Sequence, residues 1–334
     1  MDTIGMNWSG KKVLVTGAAG FIGSHLCEAL LDLGATVTAL IRYNGRSDWG
    51  NFELLPPRKR AAIEVLPGNV EDPQFVDMAA KGKAVIFHLA ALIGIPYSYV
   101  APVSYVRTNV EGTLNILEAA RRWSPERVVH TSTSETYGTA IYAPIDEKHP
   151  LQAQSPYSAT KVAADKLCES YACSFGVPVS IIRPFNTFGP RQSARAIIPC
   201  IISQALVEKR VSLGSLTPVR DLTFVKDTVQ GFLKVAAEPR AIGQVINIGN
   251  GEGIAMGDLA ARILRLLGSN LQIEHDPQRV RPEKSEVFKL ICDNSRAREW
   301  LGWTPQYSLD AGLQETIEFV RSRLEFFKTS LYAQ

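Results

Sequence analysis

The feature that most constrains this chain is a short apolar run that ends in spaced glycines and passes straight into a helix. Lys12-Val13-Leu14-Val15-Thr16 shows no alternation of apolar and polar residues, the pattern of a strand covered on both faces. Gly17-Ala18-Ala19-Gly20-Phe21-Ile22-Gly23 follows. Leu26, Ala29, Leu30 and Leu33 then recur on one side of a helix, with Gly34 past its end. Glycine permits the tight turn and lets the backbone approach a pyrophosphate, which rests on the helix N-terminus. Strand, turn and helix in this order predict a bound dinucleotide, with Gly17, Gly20, Phe21, Ile22 and Gly23 at the cofactor.

The alternation of strand and helix continues. Residues 36–41 read as a second strand, ending in Ile41 and Arg42 with Arg46 close behind. A dinucleotide with a free ribose 2′-hydroxyl calls for Asp or Glu at that end. Arginine suits a 2′-phosphate instead, so the residues favour NADP, with NAD the alternative. Strands at 62–66 and 84–88 run into Gly68-Asn69-Val70 and Leu89-Ala90-Ala91. Asn69 and Val70 are candidates for the adenine side, and Leu89, Ala90 and Ala91 for the place where backbone skirts the cofactor. A helix over 109–123 and a strand at 177–182 complete the repeat. The fold expected is α/β, a Rossmann-type doubly wound parallel sheet.

Between them lies a strand at 127–132 that runs into Thr133-Ser134-Glu135, and Tyr157 and Lys161 follow four apart on one helix face. The carboxyl end of a parallel strand opens onto the ligand crevice. A lysine ammonium beside a tyrosine hydroxyl favours the phenolate, so Lys161 is expected to lower the Tyr157 pKa towards neutral. A carboxylate and a tunable phenol at one crevice predict proton chemistry at two atoms of one substrate.

After residue 182 the texture changes. Arg183-Pro184-Phe185-Asn186-Thr187-Phe188-Gly189-Pro190-Arg191 is turn-rich and polar. A helix is expected over about 196–209, followed by the stretch Val219-Arg220-Asp221-Leu222-Thr223-Phe224, a helix capped by Asp227, and a strand at 244–249 that returns to the main sheet. The division predicted is a dinucleotide-binding domain of residues 1–182 plus about 226–250. Residues 183–225 plus 251–334 form an interleaved, smaller C-terminal substrate domain. Composition excludes several other classes. A net charge of +3 is too small and dispersed for nucleic acid or a membrane surface. The longest apolar run, residues 84–95, is interrupted by His88 and Gly94 and is too short for a bilayer. Residues 1–10 lack the apolar core of a signal peptide. Cys27, Cys168, Cys173, Cys200 and Cys292 show no paired spacing, which suits reduced thiols in the cytoplasm. No metal site is expected from the five scattered histidines.

Gly17/Gly20/Gly23, His88-Leu89-Ala90-Ala91, Thr133, Tyr157/Lys161 and Arg183-Pro184-Phe185-Asn186 together resemble the extended short-chain dehydrogenase/reductase family, over nearly the whole chain. Within it the chain looks most like the nucleotide-sugar 4,6-dehydratases. The stretches 131–138 and 184–193 resemble the branch that makes legionaminic-acid precursors from a nucleotide-linked N-acetylglucosamine. The resemblance implies a bound nicotinamide regenerated at each turnover, and a homodimer joined through two helices per subunit. It implies that Tyr157 takes the proton of the sugar 4-hydroxyl as hydride leaves C4, and that Glu135 takes the C5 proton. Water then leaves from C6, and hydride returns there. Thr133 would bond O4, and Lys161 would hold the nicotinamide ribose. Asn186, Arg191, Arg220 and Arg281 would meet the nucleotide sugar, arginine being the usual partner of a diphosphate. Many dehydratases of thymidine-linked sugars carry Asp before the Glu. This chain has Ser134, as GDP-mannose 4,6-dehydratases do, so Glu135 is expected to carry its proton across to O6 while Ser134 positions it. Ile41-Arg42 also resembles the NADP-using GDP-mannose enzymes. The rivals are a nucleotide-sugar 4-epimerase, which needs no C5 base, and a UDP-glucuronate decarboxylase.

Overall fold

The computed structural model describes residues 5–208 and 210–327. Thirteen strands among these residues follow in chain order. β1 is Lys12–Thr16, β2 Thr36–Arg42, β3 Glu64–Gly68, β4 Val85–His88, β5 Arg127–Thr131, β6 Val179–Pro184 and β7 Asn186–Phe188. β8 is Val211–Leu213, β9 Val219–Phe224, β10 Val245–Ile248, β11 Gly253–Ala255, β12 Ile273–His275 and β13 Lys289–Leu290. Seven of them form the main sheet, in the order β10-β6-β5-β4-β1-β2-β3, and every neighbouring pair is parallel.

Side-chain partition explains why these strands show no alternating pattern. Val13 and Val15 of β1 enter one apolar core, while Leu14 enters the other. Val85 and Phe87 of β4 likewise oppose Ile86. With helices against both faces, every position is interior. The sheet order reverses between β1 and β4, and their carboxyl ends frame the crevice expected of such a switch point. The remaining strands make two smaller sheets: β11-β9-β13 with β7 on β9, and β12 with β8.

Several expectations shift in detail. β10 does return to the main sheet, parallel to β6. The helix expected over 109–123 begins with a wide π-type turn at Val106–Glu111 and becomes regular at Gly112–Trp123. The helix after residue 196 is Ile197–Val207; its expected end, Lys209, lies outside the described residues, as do residues 1–4 of the N-terminal stretch. Asp227 is not a cap. It sits in the first turn of the Val225–Ala237 helix, whose cap position is Phe224, and its carboxylate accepts from the backbone N–H groups of Gln306 and Tyr307. A short side chain that caps in isolation is here diverted to a distant loop, because that loop has orphan donors of its own.

Candidate active site

The glycine turn and the carboxyl ends of β1, β4, β5 and β6 open onto one cavity of about 1150 Å³. The turn is close-fitting. Gly17 holds φ +65°, and a Cβ there would lie 2.7 Å from the Ala90 nitrogen; at Gly23 it would lie 2.4 Å from the Gly17 carbonyl oxygen. No side chain caps the Phe21–Asp32 helix at Gly20, so its N-terminus faces the cavity as an anion site. Gly17, Gly20, Phe21, Ile22, Gly23, Arg42, Leu89 and Ala91 line that cavity, and Asn69, Val70 and Ala90 line a smaller one, also bordered by Gly17 and Arg42. The cradle fits an extended dinucleotide. The Asn69 side chain also accepts from the Glu71 N–H, which closes its own turn.

At the far end of β5, Thr133 caps a tight turn over Ser134–Tyr137, its hydroxyl oxygen accepting from the Glu135 N–H at 3.3 Å. That turn presents Thr133, Ser134 and Glu135 to the cavity, with Glu135 only 9% exposed. Opposite stands the Pro156–Phe175 helix, started by a capping box between Ser155 and Ser158. Tyr157 and Lys161 face inward from its first turns and line the same cavity. The sequence therefore brought together residues that the structure also brings together.

The electrostatics differ from expectation. Burial pushes the Tyr157 phenol well above its ordinary value, and the neighbouring Glu135 charge pushes the same way. A hydrogen bond from Thr133 is the opposing influence. Lys161 does not do the lowering: its Nζ donates to the Thr131 carbonyl at 2.5 Å, and burial lowers its own pKa. Desolvation outweighs attraction because Tyr157 and Lys161 are both interior.

Of the predicted substrate residues, Asn186, Arg220 and Arg281 line the cavity. The Asn186 Oδ1 and an Arg281 guanidinium nitrogen are buried without hydrogen-bond partners, which leaves an acceptor and a donor for a ligand. Arg220 donates to Glu286 at 3.2 Å, and Arg281 lies 3.6 Å from the same carboxylate. Arg191 is the exception. It is absent from the cavity wall and pairs with Glu28 of the Phe21–Asp32 helix at 2.8 Å. Its backbone holds φ +68°.

Sequence reasoning missed Glu286 and Asp165. Asp165 is fully buried one turn beyond Lys161, a spacing that carried the signal. No cluster of three His, Cys, Asp or Glu side chains suited to a metal occurs among the described residues, and no helix there is long and apolar enough to cross a membrane.

Over residues 14–316 the sequence matches the family described as GDP-mannose 4,6 dehydratase. The chain belongs to that family. Within it the relatives divide by activity. A UDP-glucose 4-epimerase of Mycolicibacterium smegmatis is 35% identical over 93% of this chain and 99% of its own length. A UDP-N-acetyl-alpha-D-glucosaminuronate decarboxylase of Bacillus cytotoxicus is 32% identical over 93% and 98%. The solved dTDP-glucose 4,6-dehydratase DesIV of Streptomyces venezuelae, with NAD and TYD bound, superposes with a TM-score of 0.85 at 28% identity, covering 95% of this chain and 98% of that one. The GDP-mannose 4,6 dehydratase family thus fixes an enzyme of nucleotide-sugar chemistry on the extended short-chain dehydrogenase/reductase fold.

Proposed function

We propose that the protein is a nucleotide-sugar 4,6-dehydratase, converting GDP- or UDP-linked N-acetylglucosamine to the 4-keto-6-deoxy sugar. Glu135 carries this reading: a carboxylate on the same cavity wall as Tyr157, close enough for its charge to act on the phenol. A 4-epimerase works at C4 alone and needs no second base. Once C4 is a ketone the C5 proton becomes acidic, and its removal calls for a base such as Glu135.

A nicotinamide dinucleotide along the glycine turn supplies the oxidant at C4 and the reductant at C6. Tyr157 takes the 4-hydroxyl proton, with Thr133 bonded to the same oxygen. Lys161, anchored at the Thr131 carbonyl, keeps a positive charge under this site. Glu135 delivers the C5 proton to the departing O6, Ser134 holds the turn that aims it, and reprotonation at C5 completes the loss of one water. Asn186, Arg220 and Arg281 hold the diphosphate and nucleoside. Arg42 and Arg46 favour NADP over NAD.

The assignment extends to organisation. Residues 1–182 with about 226–250 bind the dinucleotide, and 183–225 with 251–334 bind the nucleotide sugar. The protein works in the cytoplasm, where its five unpaired cysteines stay reduced. Two copies associate through two helices of each subunit.

The test is mass spectrometry of the purified protein with UDP- and GDP-linked N-acetylglucosamine, glucose, mannose and glucuronate. Loss of one water supports the dehydratase. Loss of carbon dioxide, or a new isomer of unchanged mass, replaces it with a decarboxylase or an epimerase.

A further inference from the structure

At and beneath the cavity floor lies a buried charged cluster. Asp165 Oδ2 accepts from Ser132 Oγ at 2.6 Å and from an Arg183 guanidinium nitrogen at 2.6 Å. Arg183 Nε also donates to Ser132 Oγ at 3.3 Å, and its guanidinium lies over the Tyr137 ring, 4.6 Å from the centroid. His130 Nε2 stands 3.4 Å from Asp165 Oδ1. Asp165, Arg183, His130 and Ser132 are all 5% exposed or less.

Two features tie this cluster to the cavity above it. Asp165 is one turn beyond Lys161 on the same helix face. Ser132 lies between Thr131, whose carbonyl receives the Lys161 ammonium, and Thr133, which hydrogen-bonds Tyr157. Every other group facing Lys161 is neutral or cationic. His130 on β5 and His88 on β4 are kept neutral by burial, Cys168 on its own helix stays a thiol, and Arg183 on β6 is a cation. Glu135 faces Tyr157 from the turn above.

We propose, building on the dehydratase reading, that Asp165 is a positioning residue: its carboxylate keeps Lys161 protonated and pins the strand end that aims Thr131 and Thr133. A buried cation without a counter-charge gives up its proton far more readily than one beside a carboxylate. Burial already lowers the Lys161 pKa, and Asp165 is the first opposing influence. The geometry therefore sets the lysine charge from outside the cavity wall.

The test needs no turnover. In protein labelled with 13C at the lysine side chains, the Lys161 signal is assigned by Lys161→Met and followed against pH. In Asp165→Asn, which keeps the shape and can still accept from Ser132, the Lys161 midpoint falls by about one unit or more, a tenfold change in proton affinity. In Arg183→Gln, which removes the neighbouring cation, it rises. In active enzyme the Asp165→Asn turnover profile shifts on the same limb with KM little changed. Midpoints that stay put in both variants overturn the proposal, and so does failure of both to fold, which would make the pair structural alone. Wild-type protein that converts no nucleotide sugar would sink the dehydratase reading while leaving the Lys161 titration to be read.

Discussion

Lys161 points its ammonium at the Thr131 carbonyl, 2.5 Å away, rather than at the Tyr157 hydroxyl one helical turn earlier. Burial therefore governs the phenol, with Thr133 as the opposing influence, and the lysine charge is directed elsewhere. Tyr157→Phe keeps the ring and its edge-on packing on Tyr105, centroids 6.3 Å apart, while removing the group proposed to take the 4-hydroxyl proton. Turnover should fall by about 10²–10⁴-fold, the usual span for one general base. Dinucleotide affinity, measured by calorimetry, should hold. Near-normal turnover would remove Tyr157 from its role.

Glu135→Gln preserves volume and the backbone bond to Thr133 while abolishing the base. Oxidation at C4 needs no carboxylate, so mixing this variant with nucleotide sugar should raise the near-ultraviolet absorbance of reduced dinucleotide while the dehydrated product fails to form. Product should drop by about 10²-fold or more. Unimpaired product formation would show that another group takes the C5 proton.

Gly23 tests the cradle. An added Cβ would stand 2.4 Å from the Gly17 carbonyl oxygen and 2.9 Å from the Ala18 Cα, both rigid backbone atoms. Gly23→Ala must displace the turn, so stability should fall by about 1–3 kcal/mol. Dinucleotide affinity should fall with it, read by thermal melting with and without cofactor. A melting curve and affinity matching the wild type would mean that the turn has slack.

Much of this was legible before any coordinates, for physical reasons that differ by element. β1 and β4 announced themselves because a strand between two cores must be apolar at every position, as Val13, Leu14 and Val15 are. The Thr133 turn and the Tyr157 helix were legible because their chemistry depends on local spacing. Arg191 was misplaced because its partner, Glu28, is 163 residues away, and no local pattern encodes such a pairing. Asp165 was passed over because an acid within a helix ordinarily faces water, and its partners, Arg183 on β6 and Ser132 and His130 around β5, come from distant sequence. The small sheets of β7 to β13 (β10 excepted) rest on strands of two to six residues paired across long loops, below the length at which periodicity can be read.

Arg42 ends β2 exposed at the rim of both cavities, with Arg46 on the wall of the larger one. If these cations meet a ribose 2′-phosphate, Arg42→Asp should weaken NADP by about 10–100-fold, the worth of a charge-assisted hydrogen bond of roughly 1.5–3 kcal/mol. NAD binding should change far less. Titration of both dinucleotides against both proteins measures the ratio, and an unchanged ratio would point to NAD as the natural cofactor.

Acid should unfold this protein through its buried imidazoles. Burial lowers His130 and His25 from 6.5 to about 4 and takes His88 well below its ordinary value. Each folded-state value is depressed, so the unfolded chain binds more protons as pH falls from 6.5. The stability these groups contribute is complete above 6.5 and is lost as pH drops through 4. For fully buried His130 that amounts to roughly 3 kcal/mol. Asp165, held far below its ordinary value by Arg183 and His130, extends the loss below 3.8. Asp221 runs the other way: burial raises it to about 6, so its contribution is fully present below 3.8 and disappears as pH rises through 6. Burial raises Glu147 and Asp227 in the same direction as Asp221, but the three imidazoles outweigh them between pH 6.5 and 4, and the melting temperature should decline across that window. His130→Gln, with no proton to gain, should flatten the decline in calorimetric scans. A slope as steep as the wild type would show that His130 is not among the groups that drive it.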